Sequence, residues 1–110
     1  MYAIAFDLDT EMLNRHYPGN TPNNAYQDIE RVFVRYGFFR QQGSVYFADA
    51  KQVDPVTCVL AVQELVKKHP WFRHVVADIR MLRIEENNDL MPAVGDYELP
   101  LSPAPTTAGT

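Results

Sequence analysis

The sequence predicts an α+β fold, in which a four-stranded antiparallel sheet carries two helices on one face. Three observations lead to this prediction. The chain opens on an alternating apolar segment, two helical segments with clear start signals follow at separate places, and a Gln-Gly turn joins two short strands between them. Periods of two and of 3.6 residues distinguish the two kinds of segment.

The first predicted strand is MYAIAFDL, residues 1–8. Alternate positions place four large apolar side chains on one face, namely Tyr2, Ile4, Phe6 and Leu8. The other face carries Ala3, Ala5 and Asp7. Because the first face suits packing under helices, we expect Asp7 to point away from the core.

The first long helix follows the stretch HYPGNTPNN. Thr21 is placed to cap its start, Pro22 fits its first turn, and Gly37 ends it. Apolar residues recur at helical spacing between these signals, opposite charged ones. The preceding segment EMLNRHY is expected to add at most a helical turn.

The second half of the chain repeats the pattern. Two short strands surround Gln42-Gly43 as a hairpin, and Asp54-Pro55 opens a helix that runs from about Val56 to Lys68. PWFRHVV is a connector or short helical turn, and ADIRMLRIEE supplies the last strand. The order of strand, helix, strand, strand, helix, strand predicts the ferredoxin-like βαββαβ arrangement. One sheet face then has no helix over it, so we expect it to be polar or covered by a ligand or a second subunit.

Composition limits the class of protein. The chain has 110 residues, 46% hydrophobic and 22% charged, which is typical of one soluble domain. We expect residues 1–94 to form the folded domain and residues 95–110, rich in Pro, Thr and Ala, to be a flexible tail. The net charge of −4 argues mildly against indiscriminate nucleic-acid binding. With one cysteine, Cys58, and neither a signal-peptide pattern nor a membrane span, a cytoplasmic protein without disulfides is expected.

The pair Asp7-Leu8-Asp9 resembles the D-x-D motif of haloacid dehalogenase phosphatases. That motif continues with a threonine or valine where this chain has Glu11. The phosphatase family also needs a larger doubly wound sheet and further catalytic residues, which a domain of this size and element order does not supply. We therefore reject this interpretation.

The whole of residues 1–94 resembles the virulence-associated protein D (VapD) family. MYAIAFDLDTEML matches its opening, NNAYQDIERVFVRYGF its first helix, QQGSVYF its hairpin and WFRHVVADIRMLRIEE its closing segment. The resemblance implies a small homodimeric endoribonuclease with a modified ferredoxin-like fold, often the toxin of a toxin–antitoxin system. The family is similar in architecture to the small CRISPR adaptation nuclease, whose dimer presents one aspartate per subunit at the end of the first strand.

Carried over by position, the resemblance implies catalytic roles for Asp7, Ser44 and Asp78. Asp7 would bind a divalent metal such as Mg²⁺ or activate a ribose 2′-hydroxyl, and the sequence leaves both open. Ser44 would donate to a phosphate oxygen, although a turn serine that bonds its own backbone is equally expected. Asp78 either acts as a second carboxylate or pairs with Arg80. Asp9 is interpreted as a turn residue.

Tyr46 and Arg80 are the predicted substrate-binding residues. Tyr46 is expected to share the sheet face of Ser44 and to stack on a base, and Arg80 to hold a phosphate. The alternative for Tyr46 is core packing. The histidines His16, His69 and His74 show no ligand spacing, and Cys58 lies in an apolar helix and is expected in the core.

Two other functions stay open beside cleavage of RNA. The domain would serve as a non-catalytic dimer that binds RNA or a protein, such as an antitoxin, through its open sheet face. A small-molecule regulatory module is the third interpretation, because the fold alone does not decide function. It is weakened by the lack of a Gly-rich ligand loop.

Overall fold

The structure is a computed structural model that describes residues 1–49, 51 and 53–96. The elements in chain order are β1 (Tyr2–Leu8), α1 (Thr10–His16), α2 (Pro22–Arg35), β2 (Phe39–Gln42), β3 (Val45–Ala48), α3 (Pro55–Lys68), α4 (Phe72–Val75), β4 (Val76–Arg83) and α5 (Met91–Asp96). None of the helices within the described ranges combines the length and apolar character needed to cross a membrane.

The predicted fold class is confirmed. The four strands form one antiparallel sheet in the order β2-β3-β1-β4, which is the ferredoxin-like arrangement. The two long helices α2 and α3 match the predicted ones, and α1 and α4 fill the segments expected to form single turns. Helix α5 was not predicted, and it includes Gly95 and Asp96, which had been assigned to the tail. The remainder of the predicted tail, residues 97–110, lies outside the described residues.

Local signals account for the helix ends. The Asp54 carboxylate accepts hydrogen bonds from the backbone N–H and the hydroxyl of Thr57, each at 2.8 Å, so α3 begins as predicted. Helix α2 ends before Gly37, whose φ of +92° is readily adopted by glycine. Thr21 occupies the N-cap position of α2, but its side chain makes no capping hydrogen bond, so that part of the prediction is wrong.

The core lies between the sheet and the helices. The Phe6 ring on β1 contacts Phe33 of α2, with ring centroids 6.3 Å apart, and Phe72 of α4, with centroids 6.1 Å apart. Cys58 of α3 is buried in the same cluster, as predicted. Because the apolar face of β1 is fully used in this core, the opposite face of the sheet is left for other contacts.

Candidate functional site

The sheet face opposite the helices contains an open depression of about 340 Å³. Its walls come from the end of β1, the β2–β3 turn with its flanking residues, and β4. The residues that line it are Ala5, Phe6, Asp7, Gln42, Gly43, Ser44, Val45, Asp78, Arg80 and Leu82. The structure therefore brings together four of the five predicted site residues at one place.

Asp7 and Asp78 are direct cross-strand partners in the antiparallel β1–β4 pair. Both side chains are exposed on the open face, so the expectation that Asp7 points away from the core is confirmed. Directly opposite residues have their Cβ atoms roughly 5 Å apart, and like charges at such positions disfavour the fold. The packing of the sheet therefore does not explain why these two carboxylates lie directly opposite each other.

A β-bulge follows the aspartate pair. Asp7 is opposite Asp78, whereas Leu8 is opposite Val76, so Ala77 is the extra residue of β4. Bulges bend the strand and redirect nearby side chains, and they are frequent beside active sites. Here the bulge ends regular pairing at the aspartates and so places them at the rim of the sheet.

Arg80 lies two residues beyond Asp78 on the same face of β4. Its Nε donates to Asp78 Oδ2 at 3.0 Å, which confirms the pairing considered from the sequence. The two side chains are 71% and 48% exposed, so this ion pair adds little stability and the guanidinium keeps donors facing solvent. Arg80 is opposite Ala5, and this small residue leaves space above β1 for a ligand.

Ser44 is held in the β2–β3 turn by backbone contacts. Gly43 has a φ of +49°, and Arg40 Nε donates to the Gly43 carbonyl at 2.8 Å. The Phe6 backbone N–H donates to the Ser44 carbonyl at 3.1 Å, which ties the turn to β1 beside Asp7. The half-buried Ser44 side chain therefore borders the same depression as the two carboxylates.

Tyr46 does not belong to the site, and the prediction that it stacks on a base is wrong. The residue is opposite Ile4 on the helix-covered face, and it is 1% exposed. The centroid of its ring lies 5.0 Å from the centroid of the Phe33 ring, and the ring stacks on that of Phe6. Burial, and secondarily the charge of Glu30, raises the pKa of Tyr46 to about 12. The alternative of core packing is the one that the structure supports.

Asp9, interpreted from the sequence as a turn residue, is the N-cap of α1. Its Oδ1 accepts from the Met12 backbone N–H at 3.0 Å and caps α1. His16 and His74, far apart in the sequence, stack on each other with centroids 4.9 Å apart on the exposed side of α1 and α4. That contact was not predicted, and neither histidine lines the depression.

The carboxylate pair fits a magnesium ion in the chemistry of its donors. Mg²⁺ prefers oxygen ligands and is commonly held by one or two carboxylates together with waters and substrate phosphates. Within residues 1–49, 51 and 53–96, no group of three or more His, Cys, Asp or Glu is placed to hold a metal ion. Asp7 and Asp78 would therefore hold such an ion only with help from the substrate or a second subunit.

The direct opposition of Asp7 and Asp78 was not predicted, and Gln42 was missed entirely. A signal for the opposition of Asp7 and Asp78 existed, because Asp7 lies near the end of β1 and Asp78 near the start of β4, and antiparallel neighbours bring such positions together. Gln42 gave no comparable signal. Its place on the wall of the depression depends on a second bulge, at Gln41, in the β2–β3 pair.

Fold and site together define a small ferredoxin-like domain with paired carboxylates, an arginine and a turn serine on its open sheet face. No protein-family model matches the sequence. Curated relatives, in contrast, match most of the chain. "Endoribonuclease VapD 2" of Riemerella anatipestifer is 57% identical over 94 residues, which cover 86% of this chain and 99% of the relative. "Endoribonuclease VapD homolog" of Helicobacter pylori is 51% identical over 94 residues, 86% of this chain and 96% of the relative. A Dichelobacter nodosus "Endoribonuclease VapD" is 38% identical over 94 residues, 86% of this chain and 97% of that protein. The chain belongs to the VapD family.

Proposed function

We propose that this protein is an endoribonuclease that cleaves RNA at the depression containing Asp7 and Asp78. The observation that carries the proposal is the direct opposition of these two carboxylates on an open sheet face, beside Arg80 and Ser44. Such a pair costs stability without serving the core, which is expected of residues retained for chemistry. The names of the relatives support the same activity.

Each side chain has a role that suits phosphodiester cleavage. The solvent-facing donors of Arg80 bind a phosphate oxygen, with Asp78 orienting the guanidinium through the 3.0 Å hydrogen bond. The Ser44 hydroxyl donates to the charge that develops on the phosphate. The Asp7 carboxylate makes no hydrogen bond within the described residues, so its oxygens are free to accept the proton of the attacking hydroxyl.

Two sources of the attacking hydroxyl are compatible with this arrangement. Asp7 accepts a proton either from the ribose 2′-hydroxyl next to the scissile phosphate or from a water. A magnesium ion held by Asp7 and Asp78 would polarise a phosphoryl oxygen and lower the pKa of a coordinated water. The product ends separate the routes, since internal attack leaves a 2′,3′-cyclic phosphate and hydrolysis does not.

A homodimer formed through the outer edge of β4 is part of this proposal. β4 is an edge strand of the sheet that residues 1–49, 51 and 53–96 form, so within these residues one row of its backbone donors and acceptors is available to pair with another strand. Beside it lies an apolar groove of about 230 Å³ between β4 and α3, and the bordering Val59 and Met81 are 53% and 47% exposed. A second copy that pairs along this edge covers the groove and brings the Asp7–Asp78 pairs of both subunits toward the symmetry axis.

The biological setting that we propose is a cytoplasmic toxin restrained by a protein antitoxin. The resemblance of residues 1–94 to the VapD family, which implies the toxin of a toxin–antitoxin system, motivates this setting. A non-catalytic module that binds RNA or protein is the alternative, and one observation favours it: Phe39 and Leu82 on the open face are 49% and 43% exposed. Apolar side chains at such a position serve binding as well as catalysis.

Cleavage of labelled RNA by the wild type and by Asp7→Ala tests the proposal. A positioned base contributes roughly 10²–10⁴ to a rate, so Asp7→Ala should cleave at least about 100-fold more slowly. Glu11→Ala is the matched control, because this carboxylate is 80% exposed on α1, outside the depression, and should leave cleavage unchanged. Equal cleavage by wild type and Asp7→Ala would exclude the catalytic role. Repeating the assay with a chelator, and identifying the product ends, decides between the two routes.

A further inference from the structure

A second depression adjoins the first on the open sheet face and has a volume of about 590 Å³. One wall comes from β2 and β3, and the other from the segment that follows β4 and leads to α5. Among the described residues it is lined by Gln41, Gln42, Val45, Phe47, Asn87, Asn88, Asp89 and Leu90. Gln42 and Val45 also line the first depression, so the two form one continuous surface.

Side-chain amides dominate the polar lining of this second depression. Within the described ranges, Gln41, Gln42 and Asn87 make no side-chain hydrogen bond, while Asn88 donates to Glu86 Oε1 at 3.0 Å. An amide offers a donor and an acceptor side by side, which matches the paired donors and acceptors on the edge of a nucleobase. Free amides on facing walls are therefore suited to bind a base between them.

The bottom of the depression is apolar and aromatic. Phe47 is 8% exposed there, and its ring contacts Phe39 in an edge arrangement with centroids 6.2 Å apart. Phe39 is the cross-strand partner of Phe47, so it lies on the same sheet face; it is 49% exposed and stands beside the depression, outside its lining. Aromatic surfaces of this kind stack with unpaired bases of single-stranded RNA.

Charge separates the second depression from the first. Lys and Arg are absent from its lining in the part of the chain that the structure describes, so a phosphate has no cation there. The acid in the lining, Asp89, accepts from the Met91 backbone N–H at 2.9 Å at the start of α5. Arg80 lies in the first depression. Phosphate binding and base binding are thus assigned to neighbouring but separate places.

We propose that the second depression is a base-recognition subsite for a nucleotide that flanks the scissile phosphate of single-stranded RNA. The Asn87 amide, with those of Gln41 and Gln42 on the facing wall, contacts the base edge, and the aromatic pair supports its ring. This inference rests on the proposed endoribonuclease function and names the residues that select its cleavage sites.

Sequencing the ends of cleaved RNA measures this role directly. Asn87 is the residue to change, since it lines only the second depression. Asn87→Ala should reduce the base preference at one position beside the cut by roughly fivefold or more, as expected for loss of an amide–base contact. Asn87→Asp, of the same shape but without the donor, should change which base is preferred there. Gln27→Ala, an exposed residue of α2 on the helix layer, is the matched control and should keep the wild-type pattern.

Several results would overturn the subsite. One is a base preference in Asn87→Ala that equals that of the wild type, and another is a wild type that prefers no base at any position beside the cut. A third is a lower cleavage rate in Asn87→Ala at all sites without a change in base preference. A change in oligomeric mass in Asn87→Asp would assign the surface to a protein contact and also overturn it. Failure of the proposed function is distinguishable, because then the wild type does not cleave at all. Binding of fluorescent oligonucleotides to Asp7→Ala, with and without Asn87→Ala, still reports whether affinity depends on the base.

Discussion

Replacing Asp7 by Asn should slow cleavage at least about 100-fold and at the same time leave the fold as stable or slightly more stable. Asp7 and Asp78 are direct cross-strand partners. Two unit charges about 5 Å apart, the usual spacing of such partners, repel by roughly 0.8 kcal/mol in water. With a Debye length of about 8 Å at physiological ionic strength, the repulsion falls to about 0.4 kcal/mol. The Arg80 guanidinium on Asp78 lowers it further, so the expected gain in the free energy of unfolding is a few tenths of a kcal/mol.

The partner substitution gives a different expectation. Asp78→Asn removes the same repulsion but also the ion pair with Arg80, and an exposed pair of this kind contributes roughly 0.2–1 kcal/mol. The two effects offset each other, so Asp78→Asn should have a free energy of unfolding close to that of the wild type. Only Asp7→Asn should show a gain, and the gain should shrink as the salt concentration rises.

Urea unfolding followed by tryptophan fluorescence is the assay. Trp71 is the single tryptophan of the chain and is 8% exposed, so it reports on the core. Each variant is measured at low and at high salt, beside the cleavage assay. A loss of more than about 1 kcal/mol in Asp7→Asn would show that Asp7 stabilises the fold, because surface changes without a structural role stay within roughly 0.5 kcal/mol.

Three further predictions follow from the packing. Tyr46→Ala should lower the free energy of unfolding by about 3–5 kcal/mol, as for other buried aromatic residues, whereas Tyr46→Phe should cost less than about 1.5 kcal/mol and cleave RNA normally. Loss of cleavage in a stably folded Tyr46→Phe variant would instead support a substrate-binding role for Tyr46. Burial lowers the pKa of His69 below the ordinary 6.5, so the unfolded chain binds more protons and stability should fall as the pH drops below about 6.5. His69→Gln should flatten that dependence in urea titrations at stepped pH, and an unchanged slope would contradict it. Met81→Lys on the β4 edge should halve the mass measured by light scattering, while Val34→Lys, on an α2 side chain 52% exposed, should not; equal masses would argue against this interface.

Strand faces and helix starts were predictable because they depend on neighbours in the chain. The alternation in β1 was enough to place Phe6 in the core and Asp7 outside it. Asp54-Pro55 was enough to start α3, since a capping carboxylate acts on an N–H three residues away. The order of these elements in turn limited the topology to the ferredoxin-like sheet.

Tyr46 shows where the same argument fails. Its assignment assumed that the two-residue period extends from Ser44 and that the shared face is open. Ser44 belongs to the turn, and β3 begins at Val45. Pairing with Ile4 then decides which way Tyr46 points, and that face is the one beneath the helices. A one-residue change in register reverses every side chain of a strand, so short strands are the elements whose faces sequence alone predicts least well.

Periodicity and element order along the chain were enough to give the fold class and the outward direction of Asp7, because these patterns are written in neighbouring residues. Long-range packing was needed to show that Asp7 faces Asp78, that Ser44 and Arg80 border the same depression, and that amides from β2 and from residues 87–88 form a second one beside it. These juxtapositions depend on strand register and on two bulges, which are set by burying one whole face of the sheet against the helices. Contacts between residues some 40 to 70 positions apart leave no local pattern in the chain, and the site of this protein is made almost entirely of such contacts.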